Sequence, residues 1–186
     1  HQIVRDHQVV PYSSSSRFDA HDALEILDED PADTNHVILI YSRRSEPKST
    51  WPSWNREHLW PNSYGLDGVE PAYSDLHNLR AADANVNSAR GNEYFDWSDV
   101  EATSYVMPGH AEAPLTSSDF DSWEPPDEVK GDIARALFYM EVRYTGDMPG
   151  EPALVLTEDV GQINSATNFM GRLSTLLRWS LDDPVS

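Results

Sequence analysis

The residues best equipped for chemistry lie between positions 55 and 92 of the chain. His58 can be a neutral base near pH 7, and Glu57 immediately before it carries two carboxylate oxygens. Asn87 adds an amide oxygen, which suits Mg²⁺ or Ca²⁺ but not zinc. Arg56 and Arg90 can hold phosphates through paired N–H groups. A base, ligands for one hard cation and phosphate-holding arginines are together what hydrolysis of a phosphodiester bond requires.

Ordinary structural roles compete with this interpretation. A single histidine beside a glutamate is more often a structural histidine than a catalytic one. If the segment is extended, the side chains of Glu57 and His58 point to opposite sides, so they share one site only if the backbone bends there. Asparagines in a region rich in glycine and serine usually serve turns. We expect that role for Asn55, Asn62, Asn85 and Asn92. Asn78 is better suited to hold a loop through hydrogen bonds to its backbone.

The net charge of the whole chain argues against a polyanionic partner. The net charge is −19, from 32 acidic and 13 basic residues. Positions 41–64 differ, because their ionic residues are Arg43, Arg44, Lys48 and Arg56 against Glu46 and Glu57, a net of +2. We expect a basic cleft on an acidic body, with Arg43 and Arg44 among the residues that bind substrate. Elsewhere the acidic residues solvate the surface.

Length and composition indicate one domain with one core, since the chain has 186 residues of which 39% are apolar. It has no cysteine, so neither disulfides nor thiolate metal sites are available. No apolar run is long enough to span a bilayer, and we expect no membrane partner. Residues 1–5 have no signal-peptide core, which leaves either an intracellular protein or one whose leader is absent from this chain. We expect the second, a secreted or periplasmic protein, and a monomer.

The elements that must position these residues follow from apolar spacing. Helices are predicted at 18–27, 82–89, 129–144 and 169–179. Strands are predicted at 37–41, which is continuous and β-branched, and at 100–107, which alternates. The second helix carries Asn87. The two C-terminal helices show no chemistry at their apolar positions, so we interpret both as core.

Three short sequence motifs match those of a known family. They are Asn-Arg-Glu-His at 55–58, Asp-Leu-His-Asn-Leu at 75–79 and Val-Asn-Ser-Ala-Arg-Gly-Asn at 86–92. In this combination the chain resembles the bacterial endonuclease I family of non-specific nucleases, within the ββα-metal (His-Me finger) superfamily. Weaker likenesses at 28–42 and 127–132 extend the resemblance over most of the chain from about position 28.

The resemblance implies a finger of two antiparallel strands and a helix with one divalent cation between them. We expect a single α+β domain over residues 1–186, with the finger core at about 37–95 and a helical C-terminal part at about 127–182. Mg²⁺ is the expected cation, with Mn²⁺ or Ca²⁺ as alternatives.

The resemblance also assigns roles to single residues. The family's general base falls on His58, and its metal ligands fall on Glu57 and on Asn87 of the finger helix. Asn78, together with His77, is expected to support the loop at the site.

The arginine that steadies the cleaved phosphate differs in position among relatives. Arg56, Arg80 and Arg90 are candidates, with Arg56 and Arg90 ahead because they flank the matched ligands.

The implied activity is hydrolysis of DNA, and often of RNA, to leave 5′-phosphate ends. Contacts to phosphates position a nucleic acid without specifying its sequence, so no sequence preference is expected. Two interpretations from other classes remain open. A non-catalytic polyanion-binding domain would bind nucleic acid without nicking it. A calcium-stabilised secreted module would use Glu57 and Asn87 only for structure.

Overall fold

Mixed helices and small sheets form residues 8–185, the part of the chain that the computed structural model describes. Residues 1–5, considered above for a leader, lie outside this range. The α-helices are α1 (Ala20–Leu27), α2 (Ala84–Arg90), α3 (Lys130–Arg143) and α4 (Leu173–Asp182). The strands are β1 (Glu29–Asp30), β2 (Asp33–Ile38), β3 (Ser45–Pro47), β4 (Trp54–His58), β5 (Leu79–Asp83), β6 (Tyr94–Phe95), β7 (Ser117–Ser118), β8 (Ser122–Glu124), β9 (Val155–Leu156) and β10 (Phe169–Met170). The α+β prediction is confirmed.

The centre of the molecule is a strand–strand–helix unit made of β4, β5 and α2. The two strands are antiparallel, and their register runs without a shift from Trp54 opposite Asp83 to His58 opposite Leu79. Helix α2 begins directly after β5, because the Asp83 carboxylate accepts hydrogen bonds from the backbone N–H groups of the first turn. The predicted helix carrying Asn87 is therefore present, two residues later at its start than expected.

Two cores lie on either side of this unit. The smaller core packs α1 and β2 against one face of β4–β5. Its buried members are Ala20, Leu24, Val37, Leu39, Trp54, Leu79 and Ala81. The larger core lies on the side of α2 and includes the apolar faces of α3 and α4. Since side chains alternate along a strand, neighbouring residues of β4 face different cores.

The remaining pairings are short. Strands β1, β2 and β3 form one antiparallel sheet, and β6, β8 and β7 form another in that order. Strand β10 pairs with β9 in parallel. Among residues 8–185, no helix combines the length and apolar character needed to cross a bilayer.

Some predicted elements are wrong in place or type. The strand expected at 37–41 is β2, which ends at Ile38, and the chain then turns so that the Leu39 N–H bonds the Arg44 carbonyl. Residues 100–107 form turns with one bridge at Val106 instead of a strand. Their apolar side chains are largely exposed to solvent, so this segment does not pack one face of alternating side chains against a core. The helix expected at 169–179 begins at Leu173, after β10.

Candidate active site

His58 is the last residue of β4, and its ring is held by the backbone of another segment. Its Nε2 lies 2.8 Å from the carbonyl oxygen of Tyr73. A carbonyl oxygen can only accept a hydrogen bond, so Nε2 carries the proton and the lone pair resides on Nδ1. The imidazole is thereby fixed in the tautomer that leaves Nδ1 free to act as a base.

A cluster of aromatic rings covers the face of this imidazole. The ring of Tyr73 is stacked at 4.9 Å between centroids, and that of Tyr12 at 5.5 Å. Burial lowers the pKa of His58 to about 4, and the charges of Arg56 and Arg90 lower it further. The hydrogen bond from Nε2 to Tyr73 acts in the opposite direction and raises the pKa. His58 is therefore neutral at physiological pH, as a general base must be.

Glu57 lies on the opposite face of β4 and is 2% exposed. Its Oε1 accepts hydrogen bonds from the Tyr41 hydroxyl at 2.6 Å and from Nη1 of Arg90 at 3.0 Å. Burial raises the pKa of Glu57, while the Arg90 charge and the Tyr41 hydrogen bond act to lower it. Tyr41 was not among the candidate residues, because nothing in the local sequence connects positions 16 apart.

Arg90 is as deeply buried as its partner, at 1% exposure. Besides Glu57, its guanidinium donates to the carbonyl oxygens of His58 and Leu59, each at 3.1 Å, and lies 4.6 Å from the ring centroid of Phe95. These contacts engage both terminal nitrogens of the guanidinium, and its Nε is buried without a partner, so Arg90 does not present donors to a phosphate. Arg90 thus braces the end of β4 and the Glu57 carboxylate.

Asn87 faces the same side of β4 as Glu57. Its Nδ2 donates to Oδ1 of Asn55 at 2.7 Å and lies 3.5 Å from the Arg56 carbonyl oxygen. Because the amide nitrogen makes both contacts, Oδ1 of Asn87 is the oxygen left for a ligand. Asn55 therefore orients Asn87, and the expectation that it serves a turn is wrong. Its position two residues before Glu57 on a strand is the signal that could have revealed this shared face.

The donor set suits a hard cation. One turn of α2 separates Asn87 from Arg90, and Asn55 and Glu57, which they contact, are two residues apart on β4. The carboxylate and the amide oxygen consequently face the same side of β4, and both are oxygen ligands of the kind that Mg²⁺ or Ca²⁺ takes.

A second acidic group has a structural explanation. Within residues 8–185, Asp19, His21 and Asp22 are the one set of three such side chains close enough to hold a metal. Asp19 caps α1 by accepting from the N–H groups of His21 and Asp22, while Asp22 accepts from the Asp19 N–H. This is a helix capping box, and its carboxylates are already engaged.

The other arginines are also engaged. Arg56 shares the His58 face, where its guanidinium donates to the Tyr12 carbonyl and to Ser13 and lies 3.8 Å above the Tyr12 ring. Arg80 donates to the carbonyl oxygens of Leu76 and Leu79.

The expected basic cleft is largely neutralised. Arg43 pairs with Glu128 at 2.7 Å, and Arg44 pairs with Glu46 and with Asp83. Acids that are distant in sequence supply two of these partners, so a local count of charges overestimated the positive potential.

Asn78 and His77 hold the segment before β5. Both ends of the buried Asn78 amide bond the backbone of Trp60, Oδ1 at 2.7 Å and Nδ2 at 3.1 Å. The His77 ring stacks on Tyr139 of α3 at 3.9 Å, and its Nδ1 lies 3.0 Å from Asp75. These contacts fix the loop after His58 and dock it on α3.

The base and the proposed cation ligands lie on different faces of β4. The register of the strand is regular up to His58, so the backbone bend that a shared site would require is not present within the strand. His58 is nevertheless the terminal strand residue, and its carbonyl contacts Arg90 of the other face. The backbone of His58 therefore contacts the Glu57 face through Arg90, while its ring lies on the opposite face of the strand.

Comparison with known proteins identifies the family of the chain. The extracellular ribonuclease of Bacillus amyloliquefaciens is 45% identical over 190 residues, and that of Bacillus subtilis (strain 168) is 43% identical over 190 residues. Each alignment covers 100% of this chain and 60% of the relative, so the chain spans about 60% of the length of these curated relatives. The family model described as endonuclease I matches residues 6–186. The chain therefore belongs to the endonuclease I family.

Proposed function

We propose that the protein is a metal-dependent endonuclease that hydrolyses phosphodiester bonds of DNA and RNA without strict sequence preference and leaves 5′-phosphate ends. The observation that carries the proposal is the state of His58, which is neutral, held through Nε2 and free at Nδ1. A histidine with only a structural role has no need of a free acceptor nitrogen at the end of a strand whose other face carries Glu57 and Asn87.

In the proposed mechanism Nδ1 of His58 takes a proton from the attacking water. The water adds to phosphorus in line with the 3′-oxygen, which leaves, so the phosphate remains on the 5′ side. Glu57 and Asn87 would hold one divalent cation, whose charge offsets the charge that develops on the phosphate. We place the phosphate at the end of β4, where groups from both faces of the strand meet.

The arginines divide between two roles in this proposal. Arg90 positions Glu57 and the end of β4, because both terminal nitrogens of its guanidinium donate within the protein and its side chain is buried. Arg56 shares the His58 face and is partly exposed, so it is the better candidate to hold the phosphate. To do so it would exchange its contacts with Tyr12 and Ser13 for the substrate.

The relatives bear on substrate and location. Both are named ribonucleases, which favours RNA among the substrates, and both are named extracellular, which favours export. We propose the same for this protein, acting as a monomer on nucleic acid bound through its backbone.

The direct test is digestion of plasmid DNA and of RNA with Mg²⁺, with EDTA, and with the variant His58→Ala. We expect cutting only with the cation and a loss of roughly 10²–10⁴-fold in the variant, the usual contribution of a general base. His110→Ala, which removes a histidine from a turn remote from β4, serves as the matched control. Cutting in EDTA, or an alanine variant as fast as the parent, would contradict the mechanism.

The same assay separates the alternatives. A non-catalytic polyanion-binding domain would retain nucleic acid in a filter assay and leave it intact. A calcium-stabilised module would gain thermal stability with Ca²⁺ and would not bind nucleic acid.

A further inference from the structure

An open cleft of about 280 Å³ lies beside the loop that follows β4 and the segment that follows α2. Its lining includes Tyr64, Asn92, Glu93, Tyr94, Phe120 and Asp121. Tyr64 lies on the loop that follows His58, and Glu93 follows the brace Arg90 by three residues, with its N–H bonded to the Arg90 carbonyl at 3.1 Å. The cleft is therefore built on segments that leave the proposed site.

Glu93 is the unusual group in this cleft. Its carboxyl accepts no hydrogen bond from any of residues 8–185, and its Oε2 is sealed from solvent. Burial raises the pKa of Glu93 to about 7, with the charges of Asp119 and Asp121 acting in the same direction against that of Arg90. Enclosed carboxyl groups in native proteins are nearly always hydrogen-bonded, so this one lacks a partner that a ligand could supply.

The neighbouring acids do not turn the cleft into a cation site. Asp119 already accepts from the Asp99 N–H and from Ser122, and Asp121 accepts from the Tyr94 hydroxyl at 3.0 Å. In the described part of the chain, Glu93, Asp119 and Asp121 do not form a group of three side chains close enough to hold one metal ion. A ligand with N–H donors fits Glu93 better than a metal does.

The other walls of the cleft suit a flat ring. Phe120 is 85% exposed at the rim, an exceptional position for a phenylalanine, and the partly buried Tyr64 and Tyr94 lie behind it. Nucleobases stack on such aromatic side chains whatever their sequence, because every base has a flat π-face. Guanine presents two adjacent donors, N1–H and the N2 amino group, to a single carboxylate, whereas uracil offers only one.

We propose that this cleft is a base-binding subsite for guanine, in which the Glu93 carboxylate turns into the cleft to accept from N1–H and N2–H and Phe120 stacks on the ring. The inference rests on the proposed nuclease function and deepens it. Backbone contacts still supply most of the binding, so the subsite biases cleavage without making it strictly specific. A carboxylate–guanine pair corresponds to a preference of about tenfold, since charged hydrogen bonds contribute roughly 1.5 kcal/mol or more.

The test is brief digestion of an RNA of random sequence, followed by sequencing of the fragment ends. We expect guanine to be enriched about tenfold at one position beside the cut, a bias that Glu93→Gln removes because its amide N–H₂ opposes the guanine donors. Phe120→Ala should reduce the same bias. Glu101→Gln, which removes an exposed charge outside the cleft, is the matched control and should keep the parent's profile.

A binding measurement in EDTA is independent of catalysis. Guanosine 5′-monophosphate should bind the parent about tenfold more tightly than uridine 5′-monophosphate, and Glu93→Gln should abolish the difference. Cutting without base bias, unchanged in Glu93→Gln, would overturn the subsite and leave the nuclease proposal intact. If no nucleic acid is cut at all, the nuclease proposal fails, and equal affinity for the two nucleotides would then overturn the subsite as well.

Discussion

Arg90 and Glu57 form an ion pair that water scarcely reaches, on the face of β4 opposite His58. The two side chains are 1% and 2% exposed, and the pair is completed by the Tyr41 hydroxyl and two backbone carbonyls. Removing charges from water is costly, and these partners offset that cost although Nε of Arg90 has none. The pair therefore holds the Glu57 carboxylate in place, and the position of this carboxylate depends on Arg90.

Substitution Arg90→Met should destabilise the protein by about 3–5 kcal/mol, because it leaves the Glu57 charge buried without its partner. Urea unfolding followed by tryptophan fluorescence measures this loss. The matched control is Arg178→Met, which breaks an exposed pair with Asp182 and should be nearly neutral. Equal effects of the two substitutions would show that burial of the Arg90 pair contributes nothing to stability.

The sequence indicated which residues belong to the proposed site, but it did not indicate which residues they contact. Glu57, His58 and Asn87 lie on the strand and the helix that the motif implied. The role of Arg90 as a brace depends on its burial, which no local pattern indicates. Asn55, two positions from Glu57, could have been recognised from strand alternation once β4 was assumed.

Packing between elements is closest where α3 meets the end of α4. A Cβ added at Gly131 would lie 2.0 Å from the carbonyl oxygen of Asp183 and 2.9 Å from its Cβ. The Gly131 N–H donates to the Asp183 carboxylate at 2.9 Å, which joins the two helix ends directly. A glycine is therefore required in the first turn of α3.

Gly131→Ala should destabilise the protein by roughly 1–3 kcal/mol, because overpacking against backbone outweighs the better helix propensity of alanine. Thermal unfolding measures the effect. Gly161→Ala is the matched control, since its added Cβ meets only the flexible carboxylate of Asp159 at 3.2 Å. A more stable Gly131→Ala variant would mean that the helices separate without cost.

Elements with a strong helical period were predicted well, and short strands were not. Val129, Ile133, Leu137, Met140 and Tyr144 are all buried, as their spacing indicated. Apolar and polar side chains alternate along residues 100–107, as expected for a strand, but these residues form turns. A strand of this length is stabilised by its neighbours, so its formation depends on pairing that the local sequence does not contain.

At the scale of the whole molecule, the acidic residues make stability depend on pH in two opposing ways. Burial raises the pKa of Asp28 to about 6 and that of Glu93 to about 7. For Asp75 and Asp83 burial acts in the same direction, but hydrogen bonds and neighbouring positive charge outweigh it and hold the pKa below the ordinary value. The first pair favours the folded state when protonated, and the second when charged.

We expect stability to rise modestly as the pH falls from about 7 towards 5, because the protons that the folded protein binds at Asp28 and Glu93 outweigh the one that the unfolded chain binds at His58. Below about pH 4 it should fall, as Asp75 and Asp83 lose the charge that the fold favours. Melting temperatures across this range provide the measurement.

Asp28→Asn should reduce the gain on acidification while keeping the hydrogen bond from the Ala81 N–H, which an amide oxygen can also accept. The exposed Asp67→Asn is the matched control. A melting temperature that falls steadily from pH 7 downward would contradict the assignment of raised pKa values to these carboxyls.

The sequence by itself determined the family and the α+β class, because these depend on residue types at fixed spacing, and it proposed the chemical groups of the site. Tertiary structure decided how those groups are used. Arg43 meets Glu128, Glu57 meets Tyr41, and Tyr12 stacks on His58, each across a distance in sequence that no periodic pattern spans. Burial and charge pairing arise from such non-local contacts. The neutral state of His58, the bracing role of Arg90 and the unpaired carboxyl of Glu93 therefore became visible only in the folded chain.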